Sequence, residues 1–178
     1  ANARGGCLGG QKLNKPREFN FENQMAMSQG KSGNNNVVEI LLTNIPGAVN
    51  AYPAHSSNDR TGTDWWIEHR AGKFLSVDCK VRAEDWSAKN SSTDDLALET
   101  FSVVEKNVVG WTRDDRKKTD YVLWLWIDTG RWLLVPFPML CGVFTREWEN
   151  WKSQFKTAQQ RTVRDNGNSY HSECVFVP

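Results

Sequence analysis

Two short apolar runs, WWIEH at 65–69 and KFLSVDCKV at 73–81, are separated only by Arg70-Ala71-Gly72. That spacing predicts two adjacent antiparallel strands joined by a tight turn. In the second run Phe74, Leu75, Val77, Cys79 and Val81 supply a mainly apolar face, and Ser76, Asp78 and Lys80 share the opposite one by the two-residue period of a strand. Asp78 and Lys80 therefore point together. Opposite charges set among apolar residues are costly unless compensated, so they form either a strand ion pair or part of a site.

The rest of the chain supplies the surroundings of that hairpin. Residues 1–18, with glycine pairs at 5–6 and 9–10, read as an arm or loop, and FENQMAMSQG at 21–30 reads as a short helix. In SGNNNVVEILLTNIPG the asparagines cap a helix whose buried side is Val37, Val38, Ile40, Leu41 and Leu42; Pro46-Gly47 stops it, and Glu39 projects from it. Residues 48–63 read as a loop, as does EDWSAKNSSTDD around Trp86. LALETFSVV predicts a strand with Glu99 and Thr100 as its polar exceptions. TRDDRKKTD is a charged connection, either solvated or in contact with phosphates. YVLWLWI and RWLLVPF, on either side of Asp128-Thr129-Gly130, form a second hairpin. After Pro136 and Pro138, TREWENWKSQFKTAQQR predicts an amphipathic helix with Trp148, Trp151, Phe155 and Ala158 toward the sheet, and NGNSYHSECVFVP a turn and a final strand. This order of elements predicts an α/β or α+β sandwich rather than a helical bundle or an all-β domain, as one domain over 19–178.

Composition narrows the function classes. With 178 residues and 39% hydrophobic content the chain suits one domain with a substantial core. Lys plus Arg number 22 against 21 acidic residues, so the net charge of +1 leaves any nucleic-acid contact to a local basic surface. Cys7, Cys79, Cys141 and Cys174 lack the close pairing of a structural zinc site, and His55, His69 and His171 are too scattered for one. No charged leader and no apolar run of about 18 residues occurs, which points to a cytoplasmic or otherwise intracellular protein without a membrane partner. Most of the nine tryptophans, Trp65, Trp124 and Trp126 among them, fit a core, while Trp86 and Trp111 beside polar connections are candidates for nucleotide contact.

The chemical signal is the set Glu39, Asp64, Asp78 and Lys80. Mg²⁺ prefers oxygen ligands and bridges carboxylates to phosphate oxygens, and a strand lysine can position a water or stabilise charge. GTDWW at 62–66 followed by SVDCK at 76–80 resembles the signature of the PD-(D/E)XK, or restriction-endonuclease-like, nucleases. Asp64 matches the first acid, Asp78 the second, Lys80 the lysine, and Glu39 the glutamate often carried by the preceding core helix; Thr63 stands in place of the proline. The resemblance covers about residues 33–135 and implies a restriction-endonuclease-like core, a central mixed sheet flanked by helices. It also implies a Mg²⁺- or Mn²⁺-dependent deoxyribonuclease with nucleic acid as partner, DNA ahead of RNA.

On that resemblance Asp64 and Asp78 are the principal metal ligands, the carbonyl of Cys79 adds another, Glu39 binds directly or through water, and Lys80 orients the attacking water. Glu99, interrupting an apolar strand, is either an acceptor for Lys80 or a contributor to a second metal site, or else a structurally paired or exposed residue; Asp120 is a weaker candidate, with simply beginning the YVLWLWI strand as its alternative. The alternative is a catalytically silent domain of the same fold that binds nucleic acid, a protein or a second copy of itself.

Overall fold

The computed structural model describes residues 17–20, 35–55, 62–85, 87–88, 96–164 and 167–178. The helix expected over 21–30, most of the arm, and Trp86 lie outside them. The described chain is mixed α+β. Its strands are β1 (Arg17–Asn20), β2 (Ala48–Pro53), β3 (Trp65–His69), β4 (Lys73–Arg82), β5 (Leu96–Val103), β6 (Val108–Val109), β7 (Tyr121–Trp126), β8 (Trp132–Pro136), β9 (Thr157–Val163) and β10 (Ser169–Val177). The helices are α1 (Asn35–Asn44) and α2 (Phe137–Gln154).

The strands form two five-stranded sheets rather than one, in the orders β2-β3-β4-β7-β8 and β1-β9-β10-β5-β6. In the first, β2, β3 and β4 run as an antiparallel meander, β7 lies parallel to β4, and β8 returns antiparallel. This sheet is therefore mixed. A parallel neighbour requires a crossover, and here residues 83–120 supply it by visiting the second sheet as β5 and β6.

The mixed sheet is covered on both faces. On one, Val37, Leu41 and Ile45 of α1 and the residue after it pack on Trp65, Ile67, Val77, Cys79, Leu123 and Leu125. On the other, Val122, Trp124 and Trp126 of β7 pack against Phe137, Cys141 and Phe144 of α2, Leu98 of β5 and Val175 of β10. Burying a side chain such as Leu41 or Phe144, both fully inaccessible, contributes about 1.5–3 kcal/mol. β4 separates the two environments: Val77 and Cys79 belong to the α1 core, and Asp78 and Lys80 point toward the second sheet.

Five sequence expectations are corrected. Residues 48–53 form a strand rather than part of a loop, because Ala48 and Ala51 pack inward while Tyr52 points out; a register shift between Ala48 and Asn50 hides the alternation. Arg17 and Glu18, assigned to the arm, pair parallel with β9. The second helix begins at Phe137, eight residues before Thr145, because proline is tolerated in a first helical turn. It then ends at Gln154, and Thr157–Val163 becomes a strand paired with β10, so Ala158 is exposed in β9 rather than on a helix face. Phe74 shares its face with Ser76 rather than with Leu75, and is 58% exposed.

Candidate active site

Asp64 sits immediately before β3 and is held from both sides, donating its N–H to the Val77 carbonyl at 2.8 Å while its own carbonyl accepts the Ala54 N–H at 2.8 Å. Its carboxylate accepts the backbone N–H of Cys79 at 2.7 Å. Beyond the Trp65–Val77 pair β4 has no β3 residue opposite it, and the side chain takes the place of the missing strand. The N–H and C=O of one strand residue point to the same side, so the Cys79 carbonyl faces this edge as well. The Cys79 thiol points into the α1 core, where burial, with the negative charges of Asp64 and Asp78 adding to it, lifts its pKa well above the usual thiol value.

Asp78 and Lys80 form a close ion pair, with the ammonium 2.7 Å from one carboxylate oxygen and 2.8 Å from the other. Burial works against the Lys80 ammonium, but the charge and hydrogen bonding of Asp78, joined by the charge of Asp64, outweigh it and hold the group above the usual lysine range. Asp64 responds in the opposite way. Burial, then repulsion from Asp78, pushes its carboxyl up from 3.8 to about 6 against the pull of the Cys79 N–H and Lys80. Two carboxylates crowded at one strand edge, with oxygen donors only, suit a hard divalent cation, which would relieve that repulsion.

The second sheet closes this site from above. The indole of Trp111 lies under the Lys80 ammonium, 4.6 Å from ring centroid to nitrogen. Glu99 of β5 accepts the Trp111 N–H at 2.9 Å and gives its own N–H to the Thr112 hydroxyl at 3.0 Å. Burial raises its carboxyl above the usual glutamate range, while the Trp111 N–H, Lys80 and Lys117 pull the other way. Gly110 makes the arrangement feasible, because a β-carbon there would collide with the Glu99 carbonyl. Trp111 is thus packed against Phe137 and Trp124 as well as Lys80, which makes it a core contact more than a surface for nucleotides.

The sequence named Asp120 only as a weaker candidate and did not single out Thr119 or the clamp these two form on the segments that carry both acids. Thr119 donates its hydroxyl to the Gly62 carbonyl at 2.6 Å, two residues before Asp64. Asp120 accepts both the N–H of Ser76, at 2.8 Å, and its hydroxyl, at 3.0 Å, two residues before Asp78. Asp120 therefore holds the site from behind. The same segment brings Lys117 to the site, where its charge acts on Glu99 and its ammonium lies 3.6 Å from where a Gly62 β-carbon would be. The one visible signal was the location of these residues directly before the apolar YVLWLWI run.

Glu39 is placed differently from the acids. It is exposed on α1, the helix that covers the Cys79 face of the sheet, whereas Asp78 and Lys80 occupy the other face. Among the described residues no three His, Cys, Asp or Glu side chains are gathered so as to hold a metal ion, so the carboxylates brought together are Asp64 and Asp78. Among these residues, too, no helix is long and apolar enough to cross a membrane. No protein-family model, curated protein or solved structure matches this chain.

Proposed function

We propose that this domain is a metal-dependent nuclease that hydrolyses phosphodiester bonds in nucleic acid, DNA ahead of RNA, on a restriction-endonuclease-like core. The observation that carries the proposal is the convergence of Asp64, Asp78 and Lys80 at one strand edge. A meander followed by a parallel strand, with helices on either face, is compatible with that core.

In this proposal Asp64, Asp78 and the Cys79 carbonyl hold Mg²⁺ or Mn²⁺, and the ion supplies Lewis-acid stabilisation of charge on the phosphate. Lys80 stays protonated, so it orients a water and offsets charge rather than taking a proton. Glu99 holds Trp111 against Lys80 and so positions the ammonium indirectly. Lys117 is suited to a phosphate contact beside the acids.

The test is cleavage of a duplex, a single strand, branched DNA and RNA in Mg²⁺ or Mn²⁺, with Asp78→Asn and Lys80→Met as controls. Cleavage that both folded variants lose supports the proposal; cleavage unchanged in both overturns it. A second reading, a catalytically silent domain that binds nucleic acid or a protein, is favoured by one observation: Lys80 already contacts both oxygens of Asp78. It predicts that calorimetry finds no Mg²⁺ or Mn²⁺ binding to the wild type.

A further inference from the structure

The face of the mixed sheet that carries Asp78 and Lys80 continues past the cover of the second sheet onto β2 and β3. Register places Tyr52, Trp66 and Ser76 in one row across the strands, and Glu68 beside Phe74 in the next. Tyr52, Trp66, Glu68 and Phe74 line an open depression of about 610 Å³. Large aromatic side chains are ordinarily buried, yet Phe74 is 58% and Tyr52 42% exposed.

The Tyr52 ring is held in place. The Tyr52 hydroxyl donates to Glu68 at 2.9 Å and accepts from Asn50 at 2.7 Å, so the phenol cannot swing away without losing both bonds. Ring faces are sequence-tolerant platforms for bases, and a carboxylate among them accepts from exocyclic amino groups. Arg70, exposed at the β3–β4 turn, adds positive charge near the Phe74 end of these strands, the sign a phosphate backbone requires. Phe74 and Asp78 lie on the same face of one strand four residues apart, a separation of about 13 Å at the usual rise. A strand whose phosphate lies at the acids would carry its neighbouring bases across the depression.

We infer that Tyr52, Trp66 and Phe74 form a stacking shelf for unpaired nucleobases, so that the substrate is single-stranded or splayed nucleic acid rather than an intact duplex. The inference rests on the nuclease proposal for its orientation but is tested without catalysis. The probe is a fluorescent oligothymidylate, compared by anisotropy in EDTA with an abasic strand and a duplex of equal length.

The wild type should bind the base-bearing strand roughly tenfold or more tightly than the abasic one, as expected for one or two stacked bases. Phe74→Ala should remove most of that difference, Phe74→Tyr should keep it, and Mg²⁺ binding by calorimetry should stay unchanged in both. Equal affinity for abasic and base-bearing strands, a preference for duplex, or a preference that survives Phe74→Ala overturns the shelf. So does a fall in Tm on Phe74→Ala with affinity unaltered, which would show the depression covered by the chain itself. Because EDTA removes metal chemistry, a wild type that binds bases but cleaves nothing would count against the nuclease proposal and leave the shelf standing.

Discussion

The carboxylate of Asp64 accepts the backbone N–H of Cys79 at 2.7 Å, joining the acid that precedes β3 to the strand that carries Asp78. The bond completes the hydrogen bonding of a strand edge and, in doing so, forces two carboxylates together in a partly buried place. The metal-free protein is under electrostatic strain there, and its response to pH should show it.

Burial and Asp78 raise the folded pKa of Asp64 from 3.8 to about 6. A carboxyl whose pKa rises on folding favours the protonated native state, so its contribution is destabilising above that range and disappears as pH falls below the unfolded value. In EDTA, Asp64→Asn should therefore stabilise the protein at pH 7.5 by about 1–3 kcal/mol and change little near pH 3.5. Thermal melts at the two pH values check this. If the acids hold metal, Mg²⁺ affinity in calorimetry should also fall as pH drops below about 6, because proton and cation compete for the same oxygens.

Removing Asp78 isolates the Lys80 ammonium, whose side chain is 24% exposed. Asp78→Ala is expected to cost about 1–3 kcal/mol of stability, less than for a fully buried pair. If the domain is the proposed nuclease, Asp78→Asn should keep the fold while reducing cleavage by roughly a hundredfold or more, the scale of losing a principal electrostatic group at a reacting centre. Since Lys80 is held above its usual range, the pH profile of kcat/KM should show no inflection from it between pH 6 and 10; an inflection removed by Lys80→Arg would refute its role as a fixed ammonium.

Gly110 lies against the Glu99 backbone with no room for a β-carbon. Gly110→Ala should displace Trp111 from Lys80 and destabilise the domain by about 1–3 kcal/mol, the usual cost of overpacking. Gly62 has φ +77°, and a β-carbon there would meet the Thr119 hydroxyl at 2.7 Å. Gly62→Ala should disturb Asp64 and lower Mg²⁺ affinity more than it lowers Tm; equal metal binding would show that the Thr119 clamp does not position the acid.

Lys117 is the test of the charged connection before β7. If the domain is the proposed nuclease, Lys117→Ala should raise KM several-fold with kcat nearly unchanged and make binding less salt-sensitive, as for a contact to a phosphate that does not take part in the reaction. A matching fall in kcat would place it at the reacting atoms instead.

The β3–β4 hairpin, the β7–β8 hairpin, α1 and the shared face of Asp78 and Lys80 were legible in the sequence because each rests on a local period or a turn. Where local and long-range preferences competed, the sequence misled: the helical pattern of residues 155–161 yielded to pairing with β10, and prolines that looked like a break began α2. Glu39 projects from the expected helix, but which face of the sheet that helix covers is a matter of packing. Glu99, read from the sequence as an acceptor for Lys80 or a contributor to a second metal site, accepts the backbone N–H of Trp111, twelve residues on, a partner that the sequence did not show. The alternation of β4 alone determined that Asp78 and Lys80 point together. Only the tertiary structure decided that Asp64 joins them, that the helix bearing Glu39 covers the opposite face, and that Phe74, which the same alternation places on their side, is left exposed there, because those outcomes depend on which strand edges and sheet faces other elements leave uncovered.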